Sequence, residues 1–99
     1  MVKKIDSLTF YKVIEENRKV LVCFTDTTCK MYSKCKEYLD GLVINDDLLI
    51  CEINYNDNKE IMKEYGIDIL PVFLLFVNGS VYDKRVGIIS YDELVHLTK

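Results

Sequence analysis

The sequence predicts an α/β fold built on a mixed, mostly parallel sheet. Apolar strand patterns alternate with helical patterns along most of the chain, and this alternation is typical of parallel strands joined by right-handed crossovers. Near the C-terminus, Asn78-Gly79 separates two further strand patterns. This dipeptide favours a two-residue turn between antiparallel strands. The predicted order is strand, helix, strand, helix, strand, helix, strand, strand, helix.

The first third of the chain predicts two strands and one helix. Val2 to Ile5 alternates weakly and is expected to form a short edge strand. Ser7 is a suitable N-cap for a helix that ends near Asn17. Lys19 to Thr25 is almost continuously apolar, as expected of a strand covered on both faces. The apolar face of the helix is expected to contain Leu8, Tyr11, Val13 and Ile14.

The second predicted helix carries the main chemical signal of the sequence. Either Thr27 or Thr28 is a suitable N-cap, and Gly41 is expected to end the helix. Cys29 would then lie in the first turn, where unpaired backbone N–H groups and the helix dipole favour a thiolate. The apolar stripe of this helix comprises Met31, Cys35, Tyr38, Leu39 and Leu42.

The remaining elements follow from apolar runs and capping patterns. Leu48 to Asn54 is another apolar strand. Asp57-Asn-Lys-Glu60 has the pattern of a capping box, and Gly66 is expected to end that helix. Pro71 directly precedes the apolar strand Val72 to Val77. The last two elements are the strand Val81 to Val86 and a short helix capped by Ser90-Tyr-Asp-Glu93.

Length and charge limit the classes of function. The chain has 99 residues, which suits a single domain over residues 1–99 with one modest core. A net charge of −3, with acidic and basic residues interspersed, argues against a nucleic-acid partner. No apolar run is long enough to cross a membrane, and the N-terminus lacks the apolar core of a secretory signal. We therefore expect a soluble, cytoplasmic protein.

The four cysteines fit no regular disulfide framework and no paired C-x2-C zinc pattern. Free thiols in a reducing compartment are the simpler interpretation. His96 is the only histidine and falls in the last predicted helix, remote from Cys29. The sequence thus supports neither a zinc site nor a Cys-His hydrolase, and no cofactor or metal is expected.

A series of short motifs follows the predicted elements in order. They are Val20-Leu-Val-Cys-Phe24 followed by Cys29, Glu52-Ile-Asn54, Lys63-Glu-Tyr-Gly-Ile67, Leu70-Pro71, Leu74-Leu-Phe-Val-Asn-Gly79 and Val86-Gly87. In this order and spacing they resemble the thioredoxin family over nearly the whole chain. The resemblance implies a thioredoxin-like three-layer α/β/α sandwich with a mixed, mostly parallel central sheet of four to five strands.

The resemblance also implies roles for individual residues. Cys29 matches the family's exposed nucleophilic cysteine, and Pro71 matches its cis-proline, which lines the groove for an extended substrate. Leu70 would offer backbone hydrogen bonds to that substrate, and Gly87 matches a glycine that flanks the same surface. The implied partners are protein disulfides or thiols, with glutathione or another low-molecular-weight thiol as a further candidate.

Several residues near Cys29 depart from the family pattern. Tyr32 stands where the second cysteine of the C-x-x-C motif would be, so the motif here is Cys29-Lys-Met-Tyr32. Thr28 replaces the customary tryptophan. Cys23 stands where the family often has a buried aspartate, and Glu52 where it often has a lysine. The usual resolving thiol and the usual proton-handling pair are therefore absent.

Cys35 is the candidate replacement for the resolving thiol. In a regular helix, residues six apart are separated by about 9 Å along the axis and about 120° around it. A disulfide needs Cα atoms within about 7 Å of each other. A bridge between Cys29 and Cys35 would therefore require the first turns of the helix to unwind or to form a different loop. The competing interpretation of Cys35 is a small core residue.

Other residues near Cys29 also have two interpretations each. Tyr32 either donates a hydrogen bond to the thiolate, or shields it, or is a surface aromatic residue of the groove. Glu52 is either a general base acting through water or a solvated carboxylate at a strand end. Cys23 and Cys51 are expected to be buried packing residues on adjacent central strands, without a disulfide between them.

The first functional hypothesis is a thioredoxin-like thiol-disulfide oxidoreductase, of the protein disulfide reductase type, that acts through Cys29 in cell redox homeostasis. It would work as a monomer, either as a monothiol resolved by an external thiol or with Cys35 as the resolving thiol. The alternative is a redox-inactive module that binds an extended peptide or partner protein beside Pro71. A glutaredoxin-like use of bound glutathione is a weaker third interpretation.

Overall fold

The computed structural model describes residues 2–28, 30–42 and 47–98. Five strands form one sheet in the order β1-β3-β2-β4-β5. β1, β3 and β2 are parallel, β4 runs antiparallel to β2, and β5 runs antiparallel to β4. The elements are β1 (Val2–Ile5), α1 (Phe10–Glu16), β2 (Lys19–Thr25), α2 (Tyr32–Gly41), β3 (Leu48–Asn54), α3 (Lys59–Glu64), β4 (Val72–Val77), β5 (Ser80–Val86) and α4 (Tyr91–Leu97).

Two apolar clusters, one on each face of the sheet, give the fold three layers. One cluster joins α1 and α3 to the sheet, with Phe10 and Met62 among its buried residues. The other joins α2 and α4 to the opposite face, with Leu39 and Leu94 among its buried residues. This arrangement confirms the predicted α/β sandwich with a mixed central sheet.

The beginning of α1 differs from the prediction. The helix begins at Phe10, and Ser7 is not its N-cap; the N–H of Ser7 instead donates to Asn58 Oδ1 at 2.7 Å. The Asp6 carboxylate accepts hydrogen bonds from the N–H groups of Leu8 and Thr9. This turn leaves Leu8 89% exposed and buries Phe10 completely. The predicted apolar face was therefore wrong at Leu8 and also at Tyr11, which is 42% exposed, and it omitted Phe10.

Two other capping predictions had opposite outcomes. The capping box predicted at Asp57 is wrong, because the N-cap of α3 is Asn58 and its side chain makes no cap hydrogen bond. Asn58 instead donates from Nδ2 to the Asn54 carbonyl at 2.8 Å. Ser90 does cap α4, since its Oγ accepts from the N–H of Glu93 at 3.1 Å. Gly66, with φ of 66°, follows the end of α3 as expected.

The hairpin between β4 and β5 forms where the sequence predicts it. Asn78 and Gly79 both have positive φ, at 52° and 84°, as a type I′ turn requires. The two strands pair from Val77 opposite Ser80, and the register shifts once between Leu75 and Phe76.

The part of the chain that the structure describes contains no candidate membrane-spanning helix. None of its helices has the length and apolar character needed to cross a bilayer.

Candidate functional site

The segment that leads to Cys29 is anchored by Asp26, directly after β2. Asp26 Oδ1 accepts a hydrogen bond from the Thr28 N–H at 2.9 Å, and its Oδ2 accepts from Asn56 Nδ2 at 3.1 Å. The Thr28 N–H is the main cause that lowers the pKa of the Asp26 carboxyl below its ordinary value. Asp26 is not among the predicted site residues, although an aspartate two residues before a turn N–H is a typical local signal.

Cys29 itself lies outside the described residues. Lys30 and Met31, which follow it, lie in a turn, and α2 begins only at Tyr32. The prediction that Thr27 or Thr28 caps this helix is therefore wrong. The separation between Cys29 and Cys35 stays a prediction, because Cys29 is not among the described residues.

Cys35 is buried near the start of α2. Its side chain is 1% exposed and belongs to the same apolar cluster as Cys23, which is fully buried. A hydrogen bond from the Cys23 thiol lowers the pKa of the Cys35 thiol, and this effect exceeds the opposing effect of burial. The structure thus brings together two cysteines that no sequence pattern had paired.

Cys51 lies on the other side of the sheet. It is opposite Val22 in the register of β2 and β3, whereas Cys23 is opposite Glu52. Because neighbouring side chains of a strand alternate between faces, Cys51 joins the cluster with α1 and α3. Burial raises the pKa of the Cys51 thiol to about 11. Cys51 is therefore a packing residue, isolated from the Cys23–Cys35 contact by the sheet.

We expect Cys23→Ala to raise the pKa of the Cys35 thiol, because the variant removes the hydrogen bond that stabilises the thiolate. Cys51→Ala is the matched control, since it also truncates a fully buried cysteine but on the opposite face. The pH dependence of the Cys35 13Cβ chemical shift measures the effect. An identical titration curve for the wild type and Cys23→Ala would contradict the assigned cause.

The residues predicted to bind substrate meet at the start of β4. The Leu70-Pro71 peptide bond is cis. The Gly87 N–H donates to the Pro71 carbonyl at 2.7 Å, and Gly87 has φ of 84°. Pro71 is buried, whereas Leu70 is half-buried. The neighbouring side chains of Ile69 and Ile88 are 61% and 41% exposed. An apolar surface therefore flanks the contact between Pro71 and Gly87.

Glu52 and Tyr32 lie close to each other in the structure. Glu52 is only 8% exposed, so the interpretation as a solvated strand-end carboxylate is wrong. Together with Tyr32 it lines a pocket of about 240 Å³ at the ends of β1, β2 and β3. His96 is exposed on α4, as expected from its place in the last helix.

The mixed sheet with helices on both faces, the segment held by Asp26 after β2 and the cis-proline before β4 define a thioredoxin-like fold. The chain belongs to the thioredoxin family, because the family model described as Thioredoxin matches residues 1–99. This membership supports a thioredoxin-like redox function in general.

Individual proteins support the same assignment. The thioredoxin of Chlamydia caviae is 28% identical over 99 residues, which cover 98% of this chain and 95% of that protein. The thioredoxin of Griffithsia pacifica is 31% identical over 85 residues, covering 84% and 78% of the two chains. In fold, the chain is similar to a mutant thioredoxin from Halobacterium salinarum NRC-1, with a TM-score of 0.90, 21% identity, and coverage of 98% and 87%.

Proposed function

We propose that this protein is a thiol-disulfide oxidoreductase in which Cys29 attacks a substrate disulfide and Cys35 resolves the mixed disulfide. Membership of the thioredoxin family supports the redox activity in general. The observation that carries the role of Cys35 is its contact with Cys23, which lowers the pKa of the Cys35 thiol. A lowered pKa increases the fraction of thiolate, the form that attacks a disulfide.

The surroundings of the Cys29 segment favour a thiolate there as well. Lys30, Lys34 and Lys36 are all exposed in the residues that follow Cys29. Their positive potential stabilises an anionic sulfur nearby. The N–H of Thr28, the residue before Cys29, is bound by the Asp26 carboxylate, so the segment begins from a defined backbone position.

The proposed reaction transfers two electrons to the substrate. The Cys29 thiolate attacks one substrate sulfur, forms a mixed disulfide and releases the other substrate sulfur as a thiolate. The Cys35 thiolate then attacks the Cys29 sulfur, forms the Cys29–Cys35 disulfide and releases the second substrate thiolate. Both released thiolates take up protons according to their pKa values. An external dithiol or two monothiols return the protein to its reduced form.

Resolution by Cys35 requires a local opening, because this thiol is buried. Cys35 lies three residues after the start of α2, and its N–H bonds to the Met31 carbonyl at 3.0 Å. Met31 is the N-cap of α2 but makes no side-chain cap hydrogen bond. The turn that must open is therefore weakly anchored at its N-terminal side.

The apolar surface beside Pro71 is proposed as the substrate groove. Leu70 would bind the substrate backbone, Gly87 would allow close approach of the chain, and Ile69 and Ile88 would contact apolar substrate side chains. Members of the thioredoxin family generally act on protein disulfides or thiols, and we propose the same substrates here, in a single-domain, cytoplasmic monomer. Glutathione is the alternative external thiol.

Peptide mapping of the oxidised protein tests this proposal. After reaction with glutathione disulfide, we expect the wild type to contain a Cys29–Cys35 disulfide and Cys35→Ser to retain glutathione on Cys29. Cys51→Ser is the matched control and should behave as the wild type. A stable glutathione adduct on Cys29 in the wild type would instead assign resolution to an external thiol. Absence of any modification of Cys29 would indicate a redox-inactive binding module.

A further inference from the structure

A pocket at the carboxyl ends of β1, β2 and β3 contains polar groups that the proposed redox chemistry does not use. Its volume is about 240 Å³, well above the space for a single water molecule. The residues that matter for its chemistry are Lys4, Asp6, Thr25, Tyr32, Glu52 and Asp57. Neither Cys23 nor Cys35 lines it.

Thr25 lines this pocket and has a buried hydroxyl without a hydrogen-bond partner. The residue is 3% exposed, and its Oγ1 makes no hydrogen bond with any described residue. Leaving a buried hydroxyl without a partner costs about 1–3 kcal/mol. Because Thr25 also lines the pocket, a bound molecule would be able to supply the missing hydrogen bond.

Glu52 is a second buried polar residue that lines the pocket. Its side chain is 8% exposed, and within residues 2–28, 30–42 and 47–98 it forms no ion pair. Lys4 is opposite Glu52 in the register of β1 and β3 and lines the same pocket, yet the two side chains do not form a salt bridge. A buried carboxylate is strongly stabilised by a cation with hydrogen-bond donors.

We propose that this pocket binds a small organic cation that carries N–H donors, a primary ammonium or a guanidinium group. Three acidic residues line it, buried Glu52 and exposed Asp6 and Asp57, against one lysine, Lys4. A bare metal ion fits less well, because the described residues include no group of three side chains arranged to hold one. An organic cation offers several N–H donors, which would pair with the Glu52 carboxylate and the Thr25 hydroxyl, since both residues line the pocket.

Binding in this pocket goes beyond the proposed redox function and is testable apart from it. The 15N-labelled chain of residues 1–99 is titrated with guanidinium chloride or methylammonium chloride in the low millimolar range, and the backbone amide chemical shifts are recorded. We expect saturable shifts at Thr25, Glu52 and Tyr32. Tetramethylammonium chloride, which lacks N–H donors, and sodium chloride should produce none of them.

Matched variants identify the binding groups. Glu52→Gln should weaken binding about tenfold or more, as loss of one charge-assisted hydrogen bond predicts. Thr25→Val, which removes only the hydroxyl, should weaken it by a factor of about three to ten. Glu37→Gln changes an exposed carboxylate on α2 and should have no effect.

The titrations of the wild type and of the variants support or overturn the proposed cation binding. The proposal is supported if either cation binds saturably and if Glu52→Gln or Thr25→Val weakens that binding. Shifts that do not saturate, that tetramethylammonium reproduces, or that both variants leave unchanged would overturn it. If Glu52→Gln does not fold, Thr25→Val alone decides. Cys29→Ser should bind the cation as the wild type does, so that failure of the redox proposal leaves this result intact.

Discussion

Replacing Cys29 by serine is expected to reduce the rate of protein disulfide reduction to the uncatalysed background. A serine hydroxyl is almost entirely protonated near neutral pH and is a poor nucleophile towards sulfur, whereas the thiolate is the attacking species in disulfide exchange. The initial rate of insulin reduction, with dithiothreitol as the final reductant, measures this effect. Because no mixed disulfide forms, Cys29→Ser should also take up no glutathione.

Two further variants show whether this loss is specific. Cys35→Ser should still form the mixed disulfide on Cys29 but turn over more slowly, because release then depends on an external thiol. Cys51→Ser, in the cluster on the opposite face of the sheet, should keep the wild-type rate. Activity that survives in Cys29→Ser but is lost in Cys35→Ser would reverse the proposed roles of these two cysteines.

Replacing Phe10 by alanine is expected to destabilise the fold by about 3–5 kcal/mol. Phe10 is fully buried, and its ring packs against those of Phe24, Tyr65 and Phe76 at centroid distances of 6.3, 5.7 and 5.6 Å. Removal of the ring leaves a cavity between α1, α3 and the sheet. Since small domains are stable by only about 5–15 kcal/mol, this is a large fraction of the total. Urea denaturation measures the change.

Leu8→Ala provides the comparison for this variant. Leu8 is two residues earlier and 89% exposed, so its truncation should change the free energy of unfolding by less than about 0.5 kcal/mol. Equal destabilisation by the two substitutions would contradict the position of α1. A larger destabilisation by Leu8→Ala than by Phe10→Ala would indicate that Leu8 is buried, as the sequence pattern predicted.

These two residues also illustrate why helix faces are difficult to predict. Leu8 and Phe10 are both apolar and close together, and a helix beginning at Ser7 would bury the first. The Asp6 carboxylate instead binds the N–H groups of Leu8 and Thr9, which delays the helix to Phe10. Phe10 then shares a face with Val13 and Ile14, at the spacing that a buried helix face requires.

The candidate site was only partly predictable for a similar reason. The motifs located the cysteine segment and the Leu70-Pro71 segment along the chain, because each is a short pattern with its own chemistry. The contact between Cys23 and Cys35 depends on which face of β2 lies under α2, and the burial of Glu52 depends on its position opposite Cys23. No local pattern contains this information.

The sequence by itself determined the order of strands and helices, the Asn78-Gly79 hairpin and the Ser90 cap of α4, because these depend on residues within about one turn of each other. Only the tertiary structure decided that Phe10 is buried in place of Leu8. It also decided that Cys23 contacts Cys35, with Cys51 on the opposite face of the sheet. It further decided that Glu52 and Thr25 line the same pocket. Strand register and helix position are set by the packing of side chains distant in sequence, and that packing places the reactive groups.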